Sequence, residues 1–185
     1  MKYILSVLVM VTFMYGEVRT VNYPSGELKS ETPYNAEGKK DGIYKGYQKD
    51  GTLKEEIEYQ NGKKDGMWKY YHKNGKVSKK YFTKNYKVDG VKKSYHKNGQ
   101  LKYETHYKDG KKEGMDKAYY KDGKLWYEQP YKDGKKDGLD KSYWKSGKQN
   151  KEIIYKEGKA ISGIEYKDDG TKVEMSSDDI NELNK

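Results

Sequence analysis

The sequence predicts an all-β fold: an elongated single-layer antiparallel sheet built from tandem 24-residue β-hairpins. Three observations predict it. Gly42, Gly66, Gly90, Gly114 and Gly138 recur at intervals of 24, and a fixed period of this length marks a repeat architecture. Most of the repeated glycines follow Asn or Asp, a pair that supplies the two positive φ values of a type I′ hairpin turn. The segments between them, such as Leu101 to Tyr107 and Met115 to Lys121, are rich in the residues that favour strands.

Taken in chain order, the first element is a leader. Lys2 precedes an apolar run from Tyr3 to Tyr15 that ends at Gly16-Glu17. The run is shorter than the ~20 residues a membrane span needs and matches a secretory signal. Residues 1–16 are therefore expected to be removed on export, placing the protein in the periplasm, at the cell surface or in the medium. Met14 stands where a small residue is usual before a cleavage site, so an uncleaved anchor is the alternative. With 0 Cys in the chain, a lipid-anchored lipoprotein, a disulfide framework and a thiolate nucleophile are excluded.

The repeat array is expected over residues 17–170, in about six units. A second glycine series, Gly51, Gly75, Gly99, Gly123 and Gly147, keeps the 24-residue step, as does a third, Gly38, Gly62, Gly110, Gly134 and Gly158, with Tyr86 at the missing copy. Every Asn-Gly or Asp-Gly step is read as a chain reversal, so one unit is two strands and two turns. At about 4.8 Å per strand, six units make a ribbon on the order of 60 Å long. Composition alone, with 37% charged residues, would suit a disordered chain. Phase argues against disorder, because Lys-x-Tyr-x-Lys repeats five times in one register, a strand-period constraint.

Treating Asn74-Gly75 and its equivalents as two-residue turns sets the register. Lys73 then faces Lys76, Tyr71 faces Ser78 and Lys69 faces Lys80, while Lys45, Lys93, Lys117 and Lys141 face Glu56, Glu104, Glu128 and Glu152. The Lys69/Lys80 pair is the expected weak point. Ile43, Met67, Val91, Met115 and Leu139 share the Lys/Tyr face, and Leu53, Val77, Leu101 and Leu125 are expected on the other. With 21 Tyr and few aliphatic residues, tyrosine must supply most of the packing. A polar tail is expected over 171–185, with a short helix possible from Ser176 or Ser177.

Candidate chemistry is sparse. His72 and His96 share a phase, but neighbouring units put them about 9.6 Å apart, too far for one metal. The repeated glutamates lack the paired, desolvated setting of acid/base catalysis. No catalytic residue, metal site or cofactor is expected, and the protein is expected not to be an enzyme. The candidate binding surface is the Lys/Tyr ladder: Lys45, Tyr47, Lys49; Lys69, Tyr71, Lys73; Lys93, Tyr95, Lys97; Lys117, Tyr119, Lys121; and Lys141, Tyr143, Lys145. Lysine rows meet phosphates or carboxylates, and tyrosine rings stack on sugars, bases or cations. The competing reading is that Tyr fills a thin core and Lys guards the strands from edge pairing.

Tyr131 to Leu139, continuing to Tyr143 and Gly147, and Tyr59 to Tyr71 (Tyr-Gln-Asn-Gly-Lys-Lys-Asp-Gly-Met-Trp-Lys-Tyr-Tyr) resemble MORN repeats of a bacterial variant found in exported proteins and in proteins labelled as antitoxin components. The resemblance spans about residues 22–170 and implies an antiparallel hairpin array used for protein or membrane contact. The departures at Tyr86, Gly163 and Gly170 lead us to expect bulges or a bent sheet at the edges and in the third unit.

Three functional readings follow. The leading one is a non-catalytic exported scaffold whose Lys/Tyr surface contacts a protein partner or an anionic envelope or membrane surface; the net charge of +10 favours acidic partners, and no specific nucleic acid is expected. The second, implied by the resemblance, is an antitoxin-type protein inhibitor. The third is a glycan or wall-polymer binding module, weakened by Trp68, Trp126 and Trp144 falling at three different phases of the repeat.

Overall fold

The structure is a computed structural model that describes residues 16–185. The expected export signal lies outside the described residues, apart from Gly16. The described chain forms one open antiparallel sheet. Its strands are β1 (Val18–Asn22), β2 (Leu28–Pro33), β3 (Gly42–Tyr47), β4 (Leu53–Tyr59), β5 (Gly66–Tyr71), β6 (Val77–Lys84), β7 (Lys87–Tyr95), β8 (Leu101–Lys108), β9 (Lys111–Tyr119), β10 (Leu125–Lys132), β11 (Lys135–Lys136), β12 (Gly138–Tyr143), β13 (Gln149–Lys156), β14 (Lys159–Tyr166) and β15 (Lys172–Glu174). Each pairs with its neighbour in sequence, except that β11 pairs only with β10 and β12 continues the sheet. β15 lies inside the stretch read as a polar tail. It is followed by a single helix, α1 (Ser177–Leu183), whose N-cap Ser176 forms a reciprocal capping box with Asp179.

The two hairpin ends use different turn chemistry. At one end Asn61-Gly62, Asp109-Gly110 and Asp133-Gly134 hold φ values near +50° and +84°, the expected two-residue type I′ turns. Asn85-Tyr86 makes the same turn without glycine, at φ 50° and 62°, so the third unit is regular there and not distorted as expected. At the other end the expectation fails. His72 accepts from Gly75 N–H at 2.9 Å and donates to Lys76 O at 2.8 Å, and only Gly75 has positive φ. This is a three-residue loop closed by a left-handed glycine. Asn74 is present because its Oδ1 accepts Lys76 N–H at 3.2 Å, the local side-chain bond that favours Asn and Asp in turns.

The extra loop residue is absorbed as a bulge. Lys69↔Lys80 and Tyr70↔Lys79 pair as expected, but Tyr71 faces Val77 and not Ser78, and Lys73 does not pair with Lys76. Corresponding shifts place Leu53, Leu101 and Leu125 opposite Tyr47, Tyr95 and Tyr119. The expected segregation of Leu53, Val77, Leu101 and Leu125 from the tyrosine row is therefore overturned. Bulges recur throughout the array instead of collecting at its edges and third unit.

Gly42, Gly66, Gly90, Gly114 and Gly138 are not reversals either. They lie in strands with positive φ. The acidic residue before several of them reaches forward to the next hairpin: Asp65 Oδ1 accepts Tyr86 N–H at 3.2 Å, Glu113 Oε2 accepts Asp133 N–H at 2.7 Å, and Asp137 Oδ2 accepts Glu157 N–H at 3.1 Å. Acidic-Gly at this phase therefore clasps consecutive hairpins.

Every buried residue of the sheet lies on the face opposite the Lys/Glu ladder, including Ile57, Tyr59, Thr83, Thr105, Asp116, Ala118, Ile153 and Tyr155. With no second sheet to cover that face, the twisted sheet must curl around it. Stacked rings contribute there, with Trp68 and Tyr81 centroids 5.6 Å apart. At the C-terminal end Met175 and Ile180 pack against the Ile153, Tyr155 and Ala160 cluster, and the Asn184 side chain binds both N–H and C=O of Ala160.

Candidate interaction surface

The ladder face is the outward one. Its middle row runs without a break from β2 to β13: Glu31, Lys45, Glu56, Lys69, Lys80, Lys93, Glu104, Lys117, Glu128, Lys141 and Glu152. The five pairs expected within this row are present, unlike the Tyr71/Ser78 and Lys73/Lys76 pairs nearer the loop. Each interior Glu stands between two lysines, and Lys69, Lys93 and Lys117 lie 3.5, 2.9 and 3.4 Å from Glu56, Glu104 and Glu128. The lysines of this row are thus half-buried and mostly balanced by carboxylates, which suits register specification better than ligand capture.

Beside it runs the tyrosine row, Tyr47, Tyr71, Tyr95, Tyr119 and Tyr143, extended by Tyr166. Several hydroxyls donate to the glutamate of the preceding hairpin: Tyr47 to Glu31 at 2.7 Å, Tyr71 to Glu56 at 2.6 Å, and Tyr166 to Glu152 at 2.9 Å. Burial, reinforced by those carboxylates, pushes the Tyr47 and Tyr71 hydroxyls up to about 12. Lys80 stands where this pattern would place the acceptor for Tyr95, and its Nζ lies 5.8 Å from the Tyr95 ring centroid. Lys69, Lys80 and Lys93 are therefore three successive lysines in an otherwise alternating row.

The third set, Lys49, Lys73, Lys97, Lys121 and Lys145, leaves the sheet plane. These residues follow the strand ends, in the three-residue loops, and all are exposed. The Lys-x-Tyr-x-Lys motif thus separates into a balanced lysine, a hydrogen-bonded tyrosine and a solvent-facing lysine. Successive loops are tied together by their first residues. His72 Nε2 lies 3.0 Å from Tyr95 O, His96 Nε2 lies 3.1 Å from Tyr119 O, and the Tyr120 hydroxyl donates to Tyr143 O at 2.8 Å. Among the described residues no group of three or more His, Cys, Asp or Glu is arranged to hold a metal ion.

The Lys69/Lys80 break in the ladder is where the sequence places it, whereas sequence reasoning missed Tyr120, Trp126 and Lys102 beside the loops. The break is visible in a 24-residue alignment of the chain with itself, since Lys80 stands in phase with Glu56, Glu104, Glu128 and Glu152. The missed residues come together only because the loops stack side by side.

The family model described as MORN repeat variant matches residues 18–36, 40–61, 64–85, 88–109 and 112–133. No curated protein matches the chain. Four of those matches start 24 residues apart, in step with the hairpins, and together the five cover more than half of the sequence, so the chain belongs to the MORN repeat variant family.

Proposed function

We propose that this protein is a non-catalytic scaffold whose loop end contacts an anionic protein or cell-envelope surface. The observation that carries the reading is the set of five exposed lysines, Lys49, Lys73, Lys97, Lys121 and Lys145, held at one sheet end in a single phase. The ladder lysines sit beside carboxylates, whereas these project from the loops. Two strands separate each from the next, roughly 10 Å along the sheet, so a charged surface meets several at once. The repeat scaffold supports a binding role, and the apolar run at residues 3–15 supports an exported location.

The test is cosedimentation with vesicles containing anionic lipid and with envelope fractions. Binding should weaken steeply from low to physiological ionic strength, and Lys73→Ser, Lys97→Ser and Lys121→Ser combined should weaken it at least several-fold. Binding indifferent to both salt and these substitutions would refute the proposal.

A further inference from the structure

The loop end carries an aromatic groove whose chemistry narrows the ligand. Its volume is about 320 Å³; Tyr119, Tyr120 and Trp126 form its walls, and Lys102, Lys121 and Lys145 form its cationic rim. Among the described residues no carboxylate lines it, and none of these three lysines is ion-paired. Trp126 is 43% exposed, a large aromatic surface left open to solvent. The rings are held in place. Tyr120 is fixed by its bond to Tyr143 O, and His96 at the groove's edge by its contact with Tyr119 O.

We propose that this groove binds an acidic sugar unit of a polysaccharide, the C–H face of the pyranose stacking on Trp126 and Tyr120 while its carboxylate or sulfate pairs with the rim lysines. This rests on the loop end being a contact surface and names the chemistry it contacts. Three features favour a sugar over other anions. A bare phosphate or lipid headgroup has no use for three aromatic walls. A planar base prefers a parallel slot, but Trp126 is inclined 35° to Tyr120, a splayed wall that suits a puckered ring. The cationic rim also recurs 48 residues earlier, where Lys54, Lys73 and Lys97 border a groove of about 620 Å³ with His72 and Ser78 in place of Tyr120 and Trp126. Four strands separate the two, roughly 19 Å along the sheet, so an extended polymer with regularly spaced acids can engage both.

The experiment titrates the full protein with alginate oligosaccharides, neutral dextran and single-stranded oligothymidylate, following tryptophan fluorescence and heat release. The expected result is saturable binding of alginate that weakens with salt, none of dextran, and weaker binding of oligothymidylate. Trp126→Ala should cost at least ten-fold in alginate affinity. Because Trp126 also packs on Tyr127, the double variant Lys102→Ser with Lys145→Ser, which touches only the rim, provides a second reading and should cost as much. Alginate binding unchanged in both variants, or oligothymidylate binding as tight as alginate, overturns the sugar assignment. Vesicle binding that survives Trp126→Ala while alginate fails to bind wild type would leave the loop-end surface standing and remove the groove's proposed ligand.

Discussion

Lys80 stands directly opposite Lys93 on one side and Lys69 on the other, the only run of like charge in the central ladder from Glu31 to Glu152. Directly opposed like charges disfavour strand pairing, and each such pair is worth roughly 0.2–1 kcal/mol. Lys80→Glu turns both contacts attractive and gives Tyr95 the acceptor that Tyr71 has in Glu56. The variant should be more stable by about 1 kcal/mol, seen as a rise of roughly 2–4 °C in a thermal melt. An unchanged or lower Tm would show that the ladder does not influence stability.

Tyr86 occupies left-handed backbone at φ 62° with 67% of its surface exposed. A side chain there costs roughly 1–2 kcal/mol, and glycine avoids it. Tyr86→Gly restores the Asn-Gly pair of the neighbouring turns and should raise stability by about 1 kcal/mol after allowing for the added freedom of the unfolded chain. Denaturant unfolding should show a higher midpoint with the same slope.

The hydroxyls of Tyr47 and Tyr71, pushed up to about 12 mainly by burial, resist ionisation in the folded state. Because the folded value lies above the ordinary ~10, the stability they confer is fully present below pH ~10 and is lost as pH rises toward 12. Absorbance at the tyrosinate band should therefore rise in two stages. Tyr47 and Tyr71 make up the later stage, which coincides with loss of the β signal. A single early transition with the sheet intact would contradict this packing.

Burial raises the Asp140 carboxyl above its usual range, only partly offset by the Gln129 amide and by Lys136 Nζ at 3.9 Å. A raised folded value means its contribution is present below the ordinary carboxylate pKa and fades as pH climbs through the folded value. Asp140→Asn fixes the neutral form, so the stability difference between variant and wild type should move in favour of the variant from pH ~4 to ~7. Paired melts across that range provide the check.

Much of this architecture was legible before any coordinates. The 24-residue phase located both turn series, and a symmetric count from Asn74-Gly75 gave Lys45/Glu56 and its four counterparts. That count worked one step away from the loop, yet it failed at Tyr71 because a bulge beside the loop absorbed the extra residue. Asp65-Gly66 was misread as a turn for a related reason. Local chemistry suggests a reversal, whereas the partner that explains Asp65 is the backbone of Tyr86, 21 residues later. The groove was hidden in the same way, since Lys102, the Tyr120 and Trp126 pair, and Lys145 stand beside three successive loops brought together by stacking.

Each hairpin touches only the one before and the one after, and its clasps, from Asp65 to Tyr86 or from Asp137 to Glu157, repeat in kind along the chain. Nothing in this arrangement closes on itself. Duplicating or deleting a whole unit would leave the remaining joints intact, so reach, and with it the number of simultaneous grips on a long partner, can be adjusted by gene-segment copying without redesigning any single joint.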